Sequence, residues 1–215
     1  MSKTEHPNVV KFYAVVPDGP QPKLTVLCEY MQHGCLRKYL AENPGYVTCL
    51  LVCFFFSVSL RREDMLTKCE IMLIRKLDKS DKVRIAMHAA RGLAYLHAQN
   101  IIHFDVKCNN LLLYDNNPCK IGDLGMFNTN IRRTPEDLDL ADWKQSFPWI
   151  APERLDDSGS RASGRAADIF SFGIVLWEIW TEQVPYANMD ISLEKFLDDL
   201  KNKELRPAIP ECCDS

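Results

Sequence analysis

The chain reads His103-Phe104-Asp105-Val106-Lys107-Cys108-Asn109-Asn110 near its centre, and Asp123-Leu124-Gly125 begins thirteen residues after that block. Apolar runs flank the first block, with Ile101-Ile102 before it and Leu111-Leu112-Leu113 after it. Short apolar runs of this kind are typical of buried strands, and the polar residues between them are typical of turns. The pattern therefore predicts carboxylate, amide and lysine side chains on short turns between buried strands.

The residue types in these two blocks suit the transfer of a phosphoryl group to a hydroxyl. Asp105 is a candidate base for the proton of the incoming hydroxyl. Asn110 and Asp123 offer the hard oxygen ligands that Mg²⁺ prefers, and Lys107 offers a positive charge for the transferred phosphoryl oxygens. Each residue alone is also ordinary turn chemistry, so the prediction depends on their joint spacing, which matches H-R-D-L-x-x-x-N followed by D-F-G.

Three further motifs follow these two blocks in the sequence. They are Pro148-Trp149-Ile150-Ala151-Pro152-Glu153, Asp168-Ile169-Phe170-Ser171-Phe172-Gly173 and Pro185-Tyr186-Ala187-Asn188-Met189. The first contains the A-P-E that closes an activation segment, and the second opens an apolar stretch that predicts a helix buried on most sides. With these motifs, the chain resembles protein kinases of the tyrosine-kinase-like group, most closely the Raf-like mitogen-activated protein kinase kinase kinases.

The resemblance implies an α+β fold of the protein-kinase type, made mainly of the helical large lobe with a remnant of the small-lobe sheet. Residues 1–31 are expected to form the end of the small lobe and the hinge, and residues 32–215 the large lobe. The resemblance also implies a serine/threonine kinase that uses ATP and Mg²⁺ on protein substrates. Lys107, together with Ser146 in the substrate-side loop, favours serine and threonine over tyrosine as acceptors.

The resemblance assigns further roles outside the two polar blocks. Cys28 is expected at the gatekeeper position, and the backbone groups of Glu29 and Met31 are expected to contact the adenine ring. Leu112 is expected to form the floor beneath the adenine. Core packing is the alternative role for these apolar strand residues. Asp168 is expected to reach back to the backbone of the first polar block and hold it in shape.

The upper half of a kinase nucleotide clamp is not found in the sequence. No G-x-G-x-x-G motif and no V-A-I-K lysine occurs, and only two small-lobe strands are predicted, around Phe12 to Val16 and Leu24 to Cys28. We therefore expect a fragment of a kinase domain, with a catalytically inactive, kinase-shaped binding module as the rival interpretation. Phe104 also replaces the arginine that binds an activation-segment phosphate in many kinases, so activation through that ion pair is not expected.

An atypical insert at about 46–72 interrupts the resemblance. Residues 48–60 are rich in Leu, Val, Cys and Phe, and they are followed by Arg61-Arg62-Glu63-Asp64. The run is too short for a membrane-spanning helix, and a signal peptide would be N-terminal. It is either an extra element between large-lobe helices or non-native sequence from a mis-joined gene model. The second is favoured, because its removal brings Leu36 to Asn43 into register with the helix expected near Ser80.

The composition is that of an ordinary globular domain. At 215 residues, with 47% hydrophobic and 26% charged residues, the chain is long enough for one substantial core. A net charge of −3 gives no reason to expect nucleic acid or an anionic membrane surface as a partner. Nine cysteines without C-x-x-C pairs predict neither a disulfide framework nor a zinc site, so we expect free thiols in a cytoplasmic protein.

Two further helices are predicted from the spacing of apolar residues. The first leads into the His103 block and shows a helical repeat of Val83, Met87, Ala90 and Ala94. Ser80 is predicted to cap that helix. The second is amphipathic, with an apolar side formed by Leu193, Phe196, Leu197 and Leu200. Packing against the large lobe is the expected role of that side.

Overall fold

The computed structural model describes residues 5–18, 23–41, 77–114, 119–122, 147–155, 164–202 and 205–210. The strands in these ranges are β1 (Phe12–Asp18), β2 (Lys23–Cys28), β3 (Leu111–Leu112) and β4 (Lys120–Ile121). The α-helices are α1 (Leu36–Ala41), α2 (Lys79–Ala98), α3 (Gly164–Thr181) and α4 (Leu193–Lys201). Single turns of 3-10 helix cover Cys108–Asn110, Phe147–Trp149 and Pro152–Arg154. The mixture of helices and small sheets confirms the α+β expectation.

Three of the predictions fall on residues outside the described ranges. These are the insert at 46–72, the metal ligand Asp123 and the substrate-side Ser146. The division of the chain into a small-lobe part, 1–31, and a large-lobe part, 32–215, stays a prediction.

The strands form two antiparallel pairs, β1 with β2 and β3 with β4. In the first pair Phe12 lies opposite Cys28, so the two small-lobe strands predicted from the sequence are confirmed. The chain just before β1 joins the second pair, because the Val10 amide donates to the Ile121 carbonyl at 2.9 Å. The hairpin is thereby attached to β4, the strand that precedes Asp123 in the sequence.

A capping box starts α2, and the predicted Ser80 cap is wrong. The Asp78 carboxylate accepts a hydrogen bond from the Asp81 amide at 2.8 Å, and the Asp81 carboxylate accepts one from the Asp78 amide at 3.3 Å. Reciprocal bonds of this kind satisfy two amides at the start of a helix that would otherwise lack partners. Ser80 lies inside the first turn, where its hydroxyl donates to Asp78 at 2.7 Å.

The helix predicted from the apolar repeat is confirmed as α2, and its buried side includes only part of its apolar residues. That side consists of Ile85, Ala89, Gly92, Leu93 and Leu96. Val83 and Met87 are 44% and 47% exposed, and they line an apolar groove of about 700 Å³ between α2 and α3. The physical reason is Gly92, where an added Cβ would lie 2.3 Å from the Asn8 carbonyl oxygen. Because Gly92 has no side chain, this face of α2 approaches the backbone that joins β4.

One hydrophobic core joins α1, α2, α3 and the β3–β4 pair. Its fully buried side chains include Leu36, Leu93, Leu96, Leu111, Ile121 and Ile179. A second cluster packs α4 against the chain around Phe147, and it consists of Phe147, Tyr186, Leu193, Phe196 and Leu200. The predicted amphipathic helix and its packing role are therefore confirmed. Among the described ranges, no helix has both the length and the apolar character that a bilayer span requires.

Polar side chains are buried within the otherwise apolar α3. They are Asp168, Ser171 and Glu178. The prediction that this helix is buried on most sides holds only in part, because Leu176 is 40% exposed and lines the groove beside α2. Buried carboxylates require hydrogen-bond partners. The partners of Asp168 and Glu178 determine the geometry of the candidate site.

We expect Gly92→Ala to destabilise the protein, although alanine favours a helix by about 1 kcal/mol over glycine. The added methyl would overlap a backbone carbonyl that cannot rotate away, and overpacking of this kind costs roughly 1–3 kcal/mol. Urea unfolding followed by circular dichroism measures the change. Gly173→Ala in α3 is the matched control, because no heavy atom lies within 4 Å of its Cβ position. The control is expected to gain stability; equal midpoints for the two variants would contradict the tight contact at Gly92.

Candidate active site

The Asp105 carboxylate is the point where three predicted site residues meet. Its Oδ2 atom lies 3.0 Å from Lys107 Nζ and 3.0 Å from Asn110 Nδ2. Asn110 Nδ2 also donates to the Asp105 carbonyl at 2.7 Å. The Asp105 side chain is 40% exposed and the Lys107 side chain only 15%. The structure therefore brings a carboxylate, a cation and an amide together in one half-open cluster.

Asp168 of α3 holds the loop that carries this cluster, His103–Asn110, which we call the central loop. Its wholly buried carboxylate accepts hydrogen bonds from the backbone amides of His103 at 2.8 Å and Phe104 at 2.7 Å. His97 Nε2 lies 2.8 Å from the same carboxylate. Phe104 has a φ of +63°, a left-handed conformation that persists only where the surrounding bonds impose it. The expected role of Asp168 is confirmed.

His103 ties the central loop to the strand that precedes Asp123. Its Nδ1 accepts a hydrogen bond from the Asp105 amide at 3.2 Å, so Nε2 carries the proton and donates to the Gly122 carbonyl at 2.8 Å. The Gly122 amide in turn donates to the Asn110 carbonyl at 2.8 Å. Asp123 itself lies outside the described residues, so its role as the second metal ligand stays a prediction.

Comparison of the whole sequence with known families agrees with these motifs. The sequence model of a family described as protein tyrosine and serine/threonine kinase matches residues 1–215. The chain belongs to this protein kinase family. Its α+β architecture is therefore that of a partial protein kinase fold.

Curated relatives carry kinase names. The serine/threonine/tyrosine-protein kinase HT1 of Arabidopsis thaliana is 32% identical over 99% of this chain and 44% of its own length. The dual specificity protein kinase shkA of Dictyostelium discoideum is 32% identical over 99% of this chain and 34% of its own length. The serine/threonine-protein kinase STY46 of Arabidopsis thaliana is 29% identical over 98% of this chain and 30% of its own length. The chain thus spans less than half the length of these relatives. Its predicted resemblance to the tyrosine-kinase-like group is confirmed.

The kinase hinge is predicted to run through Cys28, Glu29 and Met31. Glu29 is held on both sides, because its amide donates to the Lys11 carbonyl at 2.9 Å and its two carboxylate oxygens each lie 2.7 Å from Lys120 Nζ. Among the described residues, no hydrogen bond is formed by the Glu29 carbonyl or the Met31 amide. Cys28 is exposed at the end of β2. The adenine contacts stay predictions.

Leu112, the predicted floor of the adenine site, lies half-buried on β3. Its strand joins the hinge region, because Leu112 pairs with Cys35 and the Leu113 amide donates to the Gly34 carbonyl at 2.9 Å. The Met31 side chain is 7% exposed, and its carbonyl accepts from the Gly34 amide at 3.2 Å. Leu112 thus belongs to the same backbone network as the chain that follows the hinge.

Glu178 of α3 is a buried carboxylate that the motifs do not predict. It is fully buried and accepts hydrogen bonds from Trp149 Nε1 at 2.7 Å and from Arg37 at 3.2 Å. Burial raises the pKa of the Glu178 carboxyl, and its bonds to Trp149, Cys108 and Arg37 oppose that rise. Trp149 lies two residues before the A-P-E and Cys108 belongs to the central loop, so one carboxylate joins these two segments. The sequence feature that could have identified Glu178 is a single glutamate within an otherwise apolar helical stretch.

We expect Arg37→Met to destabilise the protein more at about pH 8 than at about pH 5, because it leaves the Glu178 carboxylate buried without its cation. Breaking such a pair costs roughly 3–5 kcal/mol. The pKa of Glu178 is raised in the folded protein. Its contribution to stability is therefore greatest below the unfolded-state pKa of about 4.3, and it falls as the pH rises through the folded-state pKa.

Denaturant unfolding at the two pH values measures this effect. Arg91→Met, which removes an exposed arginine from α2, is the matched control and is expected to change little. Adding Glu178→Gln to Arg37→Met is expected to remove the extra pH dependence, because a glutamine does not ionise. A loss from Arg37→Met that is the same at both pH values would argue against the buried pair.

Proposed function

We propose that the protein containing this chain is a serine/threonine protein kinase, which transfers the γ-phosphoryl group of ATP to hydroxyl groups of protein substrates. The observation that carries the proposal is the convergence of Lys107 and Asn110 on the Asp105 carboxylate, in a chain that belongs to the kinase family. The kinase names of the relatives support the same activity.

Asp105 is proposed as the general base. Its Oδ2 atom accepts the proton of the attacking hydroxyl, whose oxygen forms the new bond to the γ-phosphorus. The bond between that phosphorus and the β–γ bridging oxygen breaks, and the oxygen leaves with the electron pair as part of ADP. The half-exposed position of Asp105 supports this role, because a substrate hydroxyl has to reach the carboxylate.

Lys107 is proposed to stabilise the negative charge that the transferred phosphoryl oxygens carry. Its Nζ atom lies 3.0 Å from Asp105 Oδ2 on a side chain that is only 15% exposed. A partly buried charge is screened by salt less than an exposed one. Lys107 therefore places a weakly screened cation beside the oxygen that accepts the proton.

Asn110 and Asp123 are proposed to hold Mg²⁺, and Asn110 is the member of this pair that the structure describes. Asn110 Nδ2 is engaged by Asp105, so Oδ1 is the atom of that amide that remains to act as a ligand. Amide and carboxylate oxygens are the hard ligands that Mg²⁺ prefers. Gly122, directly before Asp123 in the sequence, is hydrogen-bonded to His103 and Asn110. These bonds support the proposal that Asn110 and Asp123 act on the same ion. When bound, the ion supplies positive charge against the phosphates.

The adenine of ATP is proposed to bind at the hinge. The Glu29 carbonyl and the Met31 amide would meet the ring edge, with Cys28 as gatekeeper and Leu112 beneath the ring. The bonds that hold Glu29 support a preformed contact, which lowers the entropy lost on binding. The chain lacks a G-x-G-x-x-G loop and a V-A-I-K lysine, so we expect these residues alone to bind ATP weakly.

A cytoplasmic location is proposed from the state of the thiols. The described cysteines, Cys28, Cys35, Cys108 and Cys119, are all free. Burial raises the pKa of Cys119 to about 12. Its thiol therefore stays protonated, and the reactive thiolate form is not populated. Free thiols are usual in a reducing compartment.

In the full-length protein, we expect Asp105→Asn to lower kcat by about 10²–10⁴-fold, because an amide cannot accept the hydroxyl proton. The KM for ATP is expected to change little, since the lost interaction belongs to the transition state. Asp198→Asn, on the exposed side of α4, is the matched control and is expected to behave as wild type. Transfer of labelled phosphate to a mixed peptide set measures the rate, and phosphoamino acid analysis is expected to show phosphoserine and phosphothreonine. Wild-type kcat in Asp105→Asn would rule out this base.

Mg²⁺–ATP is expected to raise the melting temperature of the full-length protein. At an ATP concentration about 100-fold above the dissociation constant, binding adds about 2.7 kcal/mol to the free energy of unfolding. Asn110→Ala is expected to lose the part of the shift that depends on Mg²⁺, while the smaller shift with ATP and EDTA is retained. A protein that shows neither a shift nor phosphate transfer would support the kinase-shaped binding module instead.

A further inference from the structure

Arg154 contacts the residue that directly precedes the proposed base. Its Nη1 donates a hydrogen bond to the Phe104 carbonyl at 3.1 Å, and its guanidinium carbon lies 4.4 Å from the centre of the Phe104 ring. The Phe104 amide donates to Asp168 at 2.7 Å. Both backbone groups of Phe104 and its ring are therefore held, immediately before Asp105.

The start of α3 confines the Phe104 ring as well. A Cβ added at Gly164 would lie 3.3 Å from Phe104 Cε1 and 2.6 Å from Ile102 Cδ1. The ring therefore packs close to the backbone at the start of α3, with Ile102 packed still closer. Phe104 keeps its left-handed φ of +63° inside this set of contacts.

Arg154 lies on a segment that is hydrogen-bonded to α3. It ends the turn Pro152–Arg154, which follows the A-P-E alanine. The chain just before this turn is tied to α3, because Trp149 donates to Glu178 at 2.7 Å and the Ser171 hydroxyl donates to the Trp149 carbonyl at 2.6 Å. The guanidinium therefore reaches the central loop from an element that α3 already holds.

The charge of Arg154 is retained in this half-buried position. Burial lowers the pKa of the guanidinium, and the carboxylates of Asp168, Asp105 and Glu153 oppose that change. Arginine remains protonated in proteins, and its planar, weakly hydrated head group suits stacking on an aromatic ring. A cation on an aromatic face is attracted more strongly where water is partly excluded.

The residue type at position 104 gives the contact a consequence for regulation. An arginine at this position would need an anion from elsewhere in the chain to neutralise it. Phe104 needs none, and here the cation comes from Arg154 and the aromatic ring from the central loop. The partners of this contact are both present in the unmodified chain.

We propose that Arg154 is a positioning residue that fixes the central loop, and with it Asp105, through Phe104 and without a phosphate on the activation segment. The inference rests on the proposed kinase activity. Arg154 acts through the backbone of its neighbour and touches none of the reacting atoms. Its loss is expected to affect the rate of transfer rather than the binding of ATP.

Steady-state kinetics of the full-length protein test this role. Arg154→Ala is expected to lower kcat about 100-fold, with the KM for ATP within about two-fold of wild type, because a displacement of about 1 Å at a reacting group can cost that much. Arg154→Lys, which keeps a cation that can stack on the ring, is expected to restore part of kcat. Arg165→Ala, at an exposed arginine of α3, is the matched control and is expected to keep kcat. Phosphatase treatment of the wild type is expected to leave kcat unchanged.

Two further measurements separate positioning from a general loss of structure. Phe104→Leu added to Arg154→Ala is expected to cost no more than the larger single effect, because the two residues act as a unit. Hydrogen exchange of the Phe104 and Asp105 amides is expected to speed up in Arg154→Ala, while the amides of α2 keep their wild-type rates.

Wild-type kcat together with wild-type exchange at these two amides in Arg154→Ala would overturn the proposal. A loss of activity when the wild type is treated with phosphatase would overturn its independence of phosphate. A wild-type protein that transfers no phosphate at all would refute the proposed function. In that case the exchange measurement would still decide whether Arg154 holds the central loop.

Discussion

The hydrogen bonds of the buried Asp168 carboxylate are the constraint on which the rest of the site depends. Asp168 accepts from the amides of His103 and Phe104, so the backbone immediately before Asp105 is set by α3. Glu178, later in the same helix, binds Trp149 and thereby fixes the A-P-E segment. One helix thus positions both the proposed base and the chain expected to face the substrate. The site geometry follows from how these two carboxylates are satisfied.

Buried carboxylates are costly unless hydrogen bonds compensate them, and here that cost is tied to specificity. An apolar core of Leu and Ile side chains tolerates several arrangements of a nearby loop, because dispersion contacts have little direction. Hydrogen bonds are directional, and those to Asp168 are satisfied here with Phe104 in a left-handed backbone conformation. Arg37 plays the corresponding part for Glu178, since a cation reduces the cost of that burial. The polar groups therefore select the loop conformation that the core alone does not specify.

The cluster of Asp105, Lys107 and Asn110 could be predicted because its members lie on one short loop, where spacing along the chain controls spacing in space. The contact between Arg37 and Glu178 joins residues 141 positions apart, and no local pattern relates them. The same limit applies to the fold. Apolar spacing predicts that α2 is a helix, but its buried face depends on how Gly92 meets a distant backbone carbonyl. Asp123 lies outside the described residues and stays a prediction.

The details of the Asp105 cluster bear on whether the protein is an enzyme or a binding module. The central loop is already held by Asp168 and by His103, whose ring joins the Asp105 amide to Gly122. Lys107 and Asn110 add a cation and an amide beside the Asp105 carboxylate, whose side chain is 40% exposed. The Lys107 side chain is only 15% exposed, so its charge is screened by salt less than that of a surface lysine. Under the proposed function, the exposed carboxylate can be reached by a substrate hydroxyl, and the cation beside it balances the charge that phosphoryl transfer generates.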